Sequence, residues 1–218
     1  MRSSEDKPAI NQVTNEAAPP EWVTQGSLAL KMLCRNLRDD KKYAILDLGP
    51  AVRENVDFYS HYASKIRIED LYDSLKQADA LALSEGVPDA DTNSKEKSFK
   101  HILSYSKDTR FDLIFTWDLF NYLTREQLQA LVAHLSQFCN RRAVLFSLTT
   151  NNQYVSDQPI GFKILDQENL ISPPIVTGRR INMRYREPNL ARLMPSFKVD
   201  KTFLLRNGMH EHLFILDD

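Results

Sequence analysis

The sequence predicts one α/β domain: a doubly wound, mostly parallel sheet that closes in an antiparallel β-hairpin. Three observations predict it. Short apolar runs alternate with helical stripes between residues 43 and 148, the pattern of a parallel sheet with helices on both faces. Tyr43–Leu48 is an apolar run closed by Gly49-Pro50, as expected of a strand buried on both sides. Near the carboxyl end, Asn207-Gly208 separates two apolar runs, and that dipeptide is a strong hairpin signal.

The bulk figures agree. The chain has 218 residues, enough for one core of ordinary size. Hydrophobic residues make up 42% and charged residues 26%, which fits a globular domain rather than a disordered chain. A formal net charge of −1 gives no overall attraction to nucleic acid or anionic membrane, and neither partner is expected. No apolar run approaches the roughly 20 residues of a membrane helix. Cys34 and Cys139 lie far apart and outside any CxxC spacing, which suits a reduced, cytoplasmic setting. Residues 1–22 are polar, end near Pro19-Pro20 and read as a disordered arm; the domain proper is expected over 23–218.

In chain order, Leu30, Leu33, Cys34 and Leu37 predict a helix near 24–38. The strand at 43–48 follows, then a helix over 51–62 carrying Val52, Val56 and Tyr59. A second strand is expected at 65–70, with Ile66 and Ile68 alternating with charge, and a helix begins at Leu71. Residues 84–97 read as a polar insertion, and 97–106 as a short helix. FDLIFTW (111–117) is rich in strand formers. Thr124 with Gln127 three residues on forms a capping box for the next helix. A strand is expected at 142–148. The region 149–186 reads as long loops with one or two short strands, a place for an acceptor site or lid. Pro188 opens a short helix with Leu190 and Leu193 inward, and strands at 197–205 and 210–216 close the chain.

This order resembles the class I S-adenosylmethionine-dependent methyltransferases, a Rossmann-like family whose last strand inserts antiparallel into the sheet. The resemblance covers roughly 26–218. AILDLG (44–49) resembles the first motif of that family, Glu69 or Asp70 its second, FDLIFTWD its fourth-strand motif, and FLLRNGMHEHLFIL its closing hairpin. No convincing third strand is seen between 83 and 110, where the family supplies an acid against the adenine. Asp89 and Asp91 are weak substitutes for it.

The resemblance implies S-adenosylmethionine as cofactor, held by Asp47, Gly49, Pro50, Glu69, Asp70 and Trp117. Gly49 admits a close backbone approach, Asp47 would accept from the cofactor's ammonium, and Glu69 would take the ribose diol. Asp70 serves equally as a helix N-cap. Asp118, at the end of the fourth-strand motif, would face the methyl acceptor with Asn121 and Tyr122; Asp118 and Tyr122 are the candidate catalytic residues, with Asp118 as base. The bland alternatives are that Asp47-Leu48-Gly49 is a strand end, that Asp118 caps a turn and that Trp117 is core. Positioning alone accelerates such transfers, so lack of an obvious catalytic group does not exclude an enzyme.

The expected function is therefore a methyltransferase acting on a small molecule or a protein. The alternative is an inactive member of the fold serving as a binding or scaffold protein, its cleft closed by Pro50, Val52 and Arg53. That alternative is prompted by the single glycine of the first motif and by only six glycines in the chain. A nicotinamide oxidoreductase is disfavoured by the absence of GxGxxG, and base methylation by the absence of Asn-Pro-Pro-Tyr. His210 and His212 share a strand face without a third ligand, so no metal is expected. Arg179, Arg180, Arg184 and Arg186 form a basic cluster, either a solvated face or a seat for an acidic substrate. Tyr154 and Tyr185 are candidate lid residues.

Overall fold

The structure is a computed structural model and describes residues 21–84, 99–173, 178–180 and 187–217. Its main sheet has six strands. These are β2 (Tyr43–Asp47), β3 (Ala63–Ile68), β4 (Phe111–Trp117), β5 (Cys139–Thr150), β10 (Phe197–Leu204) and β11 (Met209–Leu216). Their order across the sheet is β10-β11-β5-β4-β2-β3. β2 runs parallel to both β3 and β4, and β4 parallel to β5. β11 runs antiparallel between β5 and β10. One reversed strand inserted beside two parallel ones is the class I methyltransferase arrangement. Here β3 is the sheet edge, and no strand of the main sheet occurs between β3 and β4 among the described residues. Asp89 and Asp91 lie outside those residues.

Alternation along the strands divides the core into two faces. Leu46 and Ile114 point to α3 (Leu71–Ser84), a helical turn at 99–102, α4 (Arg125–Ser136) and α5 (Glu187–Leu193). Ile45, Leu113 and Phe115 point to α1 (Leu28–Arg35), to Tyr59 of α2 (Arg53–Ser60), and to the segment Ile160–Ile164. α4 begins with the expected capping box: Gln127 N–H donates to Thr124 Oγ1 at 3.2 Å, and Thr124 N–H to Gln127 Oε1 at 2.9 Å. Leu190 and Leu193 of α5 are buried as expected.

Several boundaries differ from the sequence reading. The helix expected near 24–38 starts only at Leu28, because β1 (Val23–Gly26) pairs antiparallel with β8 (Asn169–Ser172) and Ser27 then caps the helix. β3 ends at Ile68 rather than 70, since its register is set by the five residues of β2, so Glu69 and Asp70 stand just past its end. β5 is longer than the expected 142–148. Asn207-Gly208 does not by itself form the turn of the closing hairpin. Only Gly208 has positive φ (83°), and its N–H donates to Leu205 O at 3.0 Å, so the turn spans Leu205–Gly208. Asn207 Oδ1 instead accepts from Met209 N–H at 3.0 Å.

Where loops with one or two strands were expected, the described residues hold four short strands: β6 (Tyr154–Val155), β7 (Lys163–Ile164), β8 and β9 (Arg179–Arg180). β7, β8 and β1 make a small antiparallel sheet, and β6 pairs with β9. The expected amino-terminal arm lies outside the described residues but for Glu21 and Trp22. Tyr185, Arg184 and Arg186 lie outside them too.

Candidate functional site

The crevice of an open α/β sheet lies beyond the carboxyl ends of its strands. Here those are Asp47 of β2 and Trp117 of β4, strands paired through Asp47 and Phe115. Trp117 has φ of +48°, rare for a bulky side chain. Such strain costs about 1–3 kcal/mol. Burial of an indole recovers about 4–6 kcal/mol, so the conformation stands. The ring is 3% exposed and stacks on Phe162, centroids 5.9 Å apart and planes at 10°. Its Nε1–H donates to Asp47 Oδ1 at 2.7 Å.

The Asp47 carboxylate is buried and engaged through both oxygens. Oδ1 also accepts from Gly49 N–H at 2.9 Å, and Oδ2 accepts from the Tyr59 hydroxyl at 2.8 Å. A Cβ on Gly49 would fall 2.7 Å from Trp117 Cδ1, closer than side chains tolerate. The single glycine of the first motif therefore makes room for an indole of the same chain.

A strap over 157–164 covers the crevice. It is held at both flanks: the Tyr72 hydroxyl donates to Asp157 O at 3.1 Å and the Tyr122 hydroxyl to Gln158 O at 2.8 Å. The two tyrosine rings meet edge to face at 5.3 Å. Ile160 N–H lies 3.1 Å from each oxygen of Asp118. Buried Asn55 then donates to Phe162 O at 3.0 Å and accepts from Ile164 N–H at 2.8 Å. Exposed Lys163 pairs with Glu54 at 2.8 Å.

The electrostatics follow from burial. Removal from water pushes Asp118 up to about 7, only partly offset by hydrogen bonds from Ile160 and its own backbone and with Tyr122. Burial likewise pushes Asp47 up to about 6 against the hydrogen bonds from Gly49, Tyr59 and Trp117. The Tyr59 phenol is driven well above its usual range by burial and by Asp47 beside it.

The structure thus brings Asp47, Gly49 and Trp117 into one contact set. Asp118 and Tyr122 join it through the strap, and Gly161 approaches Pro50, its Cβ position 3.9 Å from Pro50 Cγ. Glu69 and Asp70 stay outside. Glu69 pairs with Arg67 at 2.7 Å, and Asp70 Oδ1 accepts from Asp73 N–H at 3.1 Å as a helix cap. Arg53, expected to crowd the cleft, is 90% exposed in its side chain and points to Asp57. Asn55, Tyr59, Tyr72 and Phe162 were not anticipated at the crevice. Tyr59 was placed on a helical stripe, and the others carried no motif that could have flagged them.

Beside the crevice, the cavity lined by Asp118, Asn121, Tyr122, Thr150, Ile160 and Met209 has about 10 Å³ of room. That is at most one water. With Asp47 buried under three donors, the seat beyond Gly49 filled by Trp117 and the strap in place, these residues do not fit the methionine end of S-adenosylmethionine. Tyr154, a candidate lid residue, is 46% exposed and lines that same cavity. His212 is held by Thr149 Oγ1 at 2.8 Å and Thr202 Oγ1 at 3.0 Å, with His210 stacked on it at 6.1 Å. No cluster of metal-ligating side chains occurs among the described residues, and no described helix is long and apolar enough to cross a membrane.

No family model matches the chain, and none of the curated proteins does. Among solved structures it is similar to the N-methyltransferase NodS from Bradyrhizobium japonicum, with TM-score 0.47, 11% identity, and 87% of this chain and 94% of NodS covered. A SAM-dependent methyltransferase from Aquifex aeolicus gives 0.44 and 10%, covering 87% and 90%. TehB from Haemophilus influenzae gives 0.43 and 13%, covering 82% of this chain, which spans 59% of TehB.

Proposed function

We propose that this chain is a binding or scaffold protein built on the methyltransferase fold, its cofactor seat taken by its own side chains. One observation carries this reading: the Trp117 indole occupies the space beyond Gly49 and donates to Asp47 at 2.7 Å. An ammonium ion or ribose entering there would have to displace a buried ring and break its hydrogen bond to Asp47. Titration calorimetry with S-adenosylhomocysteine is the test. The expected result is no heat of binding up to millimolar ligand; saturable binding in the micromolar range rejects the reading.

A second reading is an S-adenosylmethionine-dependent methyltransferase acting on a small molecule or a protein. Two observations favour it. Glu69 stands past the end of β3 with its side chain 27% exposed, at the height expected for a ribose contact. Asp118 and Tyr122 line the small cavity beside the strap, which the strap's departure would have to widen for an acceptor to sit there. On this reading the strap must leave with the indole before cofactor enters, and binding would be slow and accompanied by a change in Trp117 fluorescence.

A further inference from the structure

The opposite pole of the sheet carries a larger hollow. It has about 660 Å³ of room and lies between the carboxyl end of α1 and the amino ends of β2, β4 and β5. That size suits a small organic ligand. It exists because α1 is only eight residues long and stops at Arg35. Past that point Leu113, Val144 and Ile215, register partners on three adjacent strands, form an apolar floor. Leu33 and Leu37 supply an apolar wall.

The rim is cationic. Arg38, Lys41, Arg141 and Arg142 line it against two carboxylates, Asp112 and Asp200. Asp112 is spent internally, accepting from Ala44 N–H at 2.8 Å, Asn140 Nδ2 at 3.0 Å and Lys41 Nζ at 3.2 Å. Arg38 is engaged with Asp40.

A second observation marks the same place. Between Phe111 and Leu113, β4 advances two residues while β5 advances five, from Cys139 to Val144. This bulge holds Arg141 and Arg142 at the mouth, and Arg142 sits at φ of +60°. Bulges re-aim side chains near functional sites, and a left-handed arginine is strain retained for some return. Arg142 is exposed and takes part in no ion pair among the described residues, so the return is not a salt bridge of the fold.

We infer that this hollow binds an amphiphilic anion: an apolar body on the Leu113–Val144–Ile215 floor and one carboxylate or phosphate head at the Arg142 rim. The site is separate from the crevice, and its occupancy does not depend on whether cofactor binds there.

Calorimetry with decanoate, decyl phosphate and decan-1-ol, each below its micelle threshold, tests it with three proteins. Wild type should bind one decanoate or one decyl phosphate per chain, and decan-1-ol at least about tenfold more weakly, as one charge-assisted contact requires. Arg142→Gly removes the head-group contact and the strain together. It should weaken both anions to the level of the alcohol while raising the melting temperature by about 2–4 °C. Leu37→Trp fills the hollow from its wall and should weaken all three probes. Decanoate against decyl phosphate tells which head group is preferred. Absence of one-to-one binding of either anion overturns the inference. So does unchanged anion affinity in Arg142→Gly, a lowered melting temperature in that variant, or unchanged affinity in Leu37→Trp.

Discussion

Both carboxylate oxygens of Asp118 lie 3.1 Å from the backbone N–H of Ile160, tying the end of β4 to the strap that covers it. The carboxyl group is 2% exposed, and burial pushes it up to about 7 from a usual value near 3.8. The folded protein therefore holds a proton that the unfolded chain has already released. Its contribution to stability is full below about pH 4 and is lost as pH rises through 7. Asp47, pushed up to about 6, acts in the same direction. Buried His212, pushed down to about 4, opposes them between pH 4 and 6.5. The difference between wild type and Asp118→Asn isolates the aspartate. The variant should gain relative stability between pH 5 and 8, on the order of 2–4 kcal/mol at the upper end. Urea denaturation across that range measures it, and a pH-independent difference would contradict the buried, protonated carboxyl.

Gly49 is a glycine because of Trp117, so replacing it should damage the protein with no ligand in the tube. Gly49→Ala places a methyl 2.7 Å from Trp117 Cδ1. Overpacking of this kind costs about 1–3 kcal/mol. Trp117→Ala alone should cost about 3–5 kcal/mol. In the double variant the alanine at 49 meets no ring, and its cost should fall to what the 3.3 Å approach to Asp47 Oδ1 leaves. The coupling in a double-mutant cycle should therefore account for most of the Gly49→Ala penalty. Were the glycine reserved for a cofactor, Gly49→Ala would leave the apo protein's stability unchanged.

Asn55 holds the strap by two backbone groups, Phe162 O and Ile164 N–H, from a side chain 1% exposed. Asn55→Ala leaves both groups without their partner inside the protein, at about 1–3 kcal/mol each when buried. The expected outcome is faster proteolytic cleavage within 157–164 while the rest of the chain resists. Uniform cleavage across the chain would mean that the strap opens only with global unfolding.

How far the sequence foretold this molecule depends on the range of the interaction. The strand 111–117, the capping box of Thr124 and Gln127 and the α5 residues Leu190 and Leu193 are set by local pattern, and all appear as expected. The reversed β11 between β5 and β10 was implied by the resemblance to the methyltransferase family, and it stands. What local pattern could not supply is the occupant of the crevice. Trp117 at a strand end reads equally as core or as cofactor wall. The choice is made by Phe162, 45 residues away, and by Asn55, which orders the strap from the far side. The start of α1 was misjudged for the same reason, since pairing of β1 with β8 is invisible until residues 23–26 and 169–172 are brought together.

The two thiols report separately on the two faces of the sheet. Cys34 packs in the cluster that contains Ile160, Phe162 and Trp117; Cys139 packs in the cluster of α3, α4 and α5. Burial pushes both up to about 12, so at pH 8 each is almost wholly protonated and reacts only when its face opens. In wild type, both should alkylate slowly and at rates set by opening rather than by reagent. Loosening the strap with Asn55→Ala or removing the indole with Trp117→Ala should speed labelling of Cys34 well before that of Cys139. Mass spectrometry of the two cysteine peptides after timed exposure to iodoacetamide gives the rates. Equal acceleration at both positions would mean that the two faces melt as one unit, and the strap would then have no independent opening.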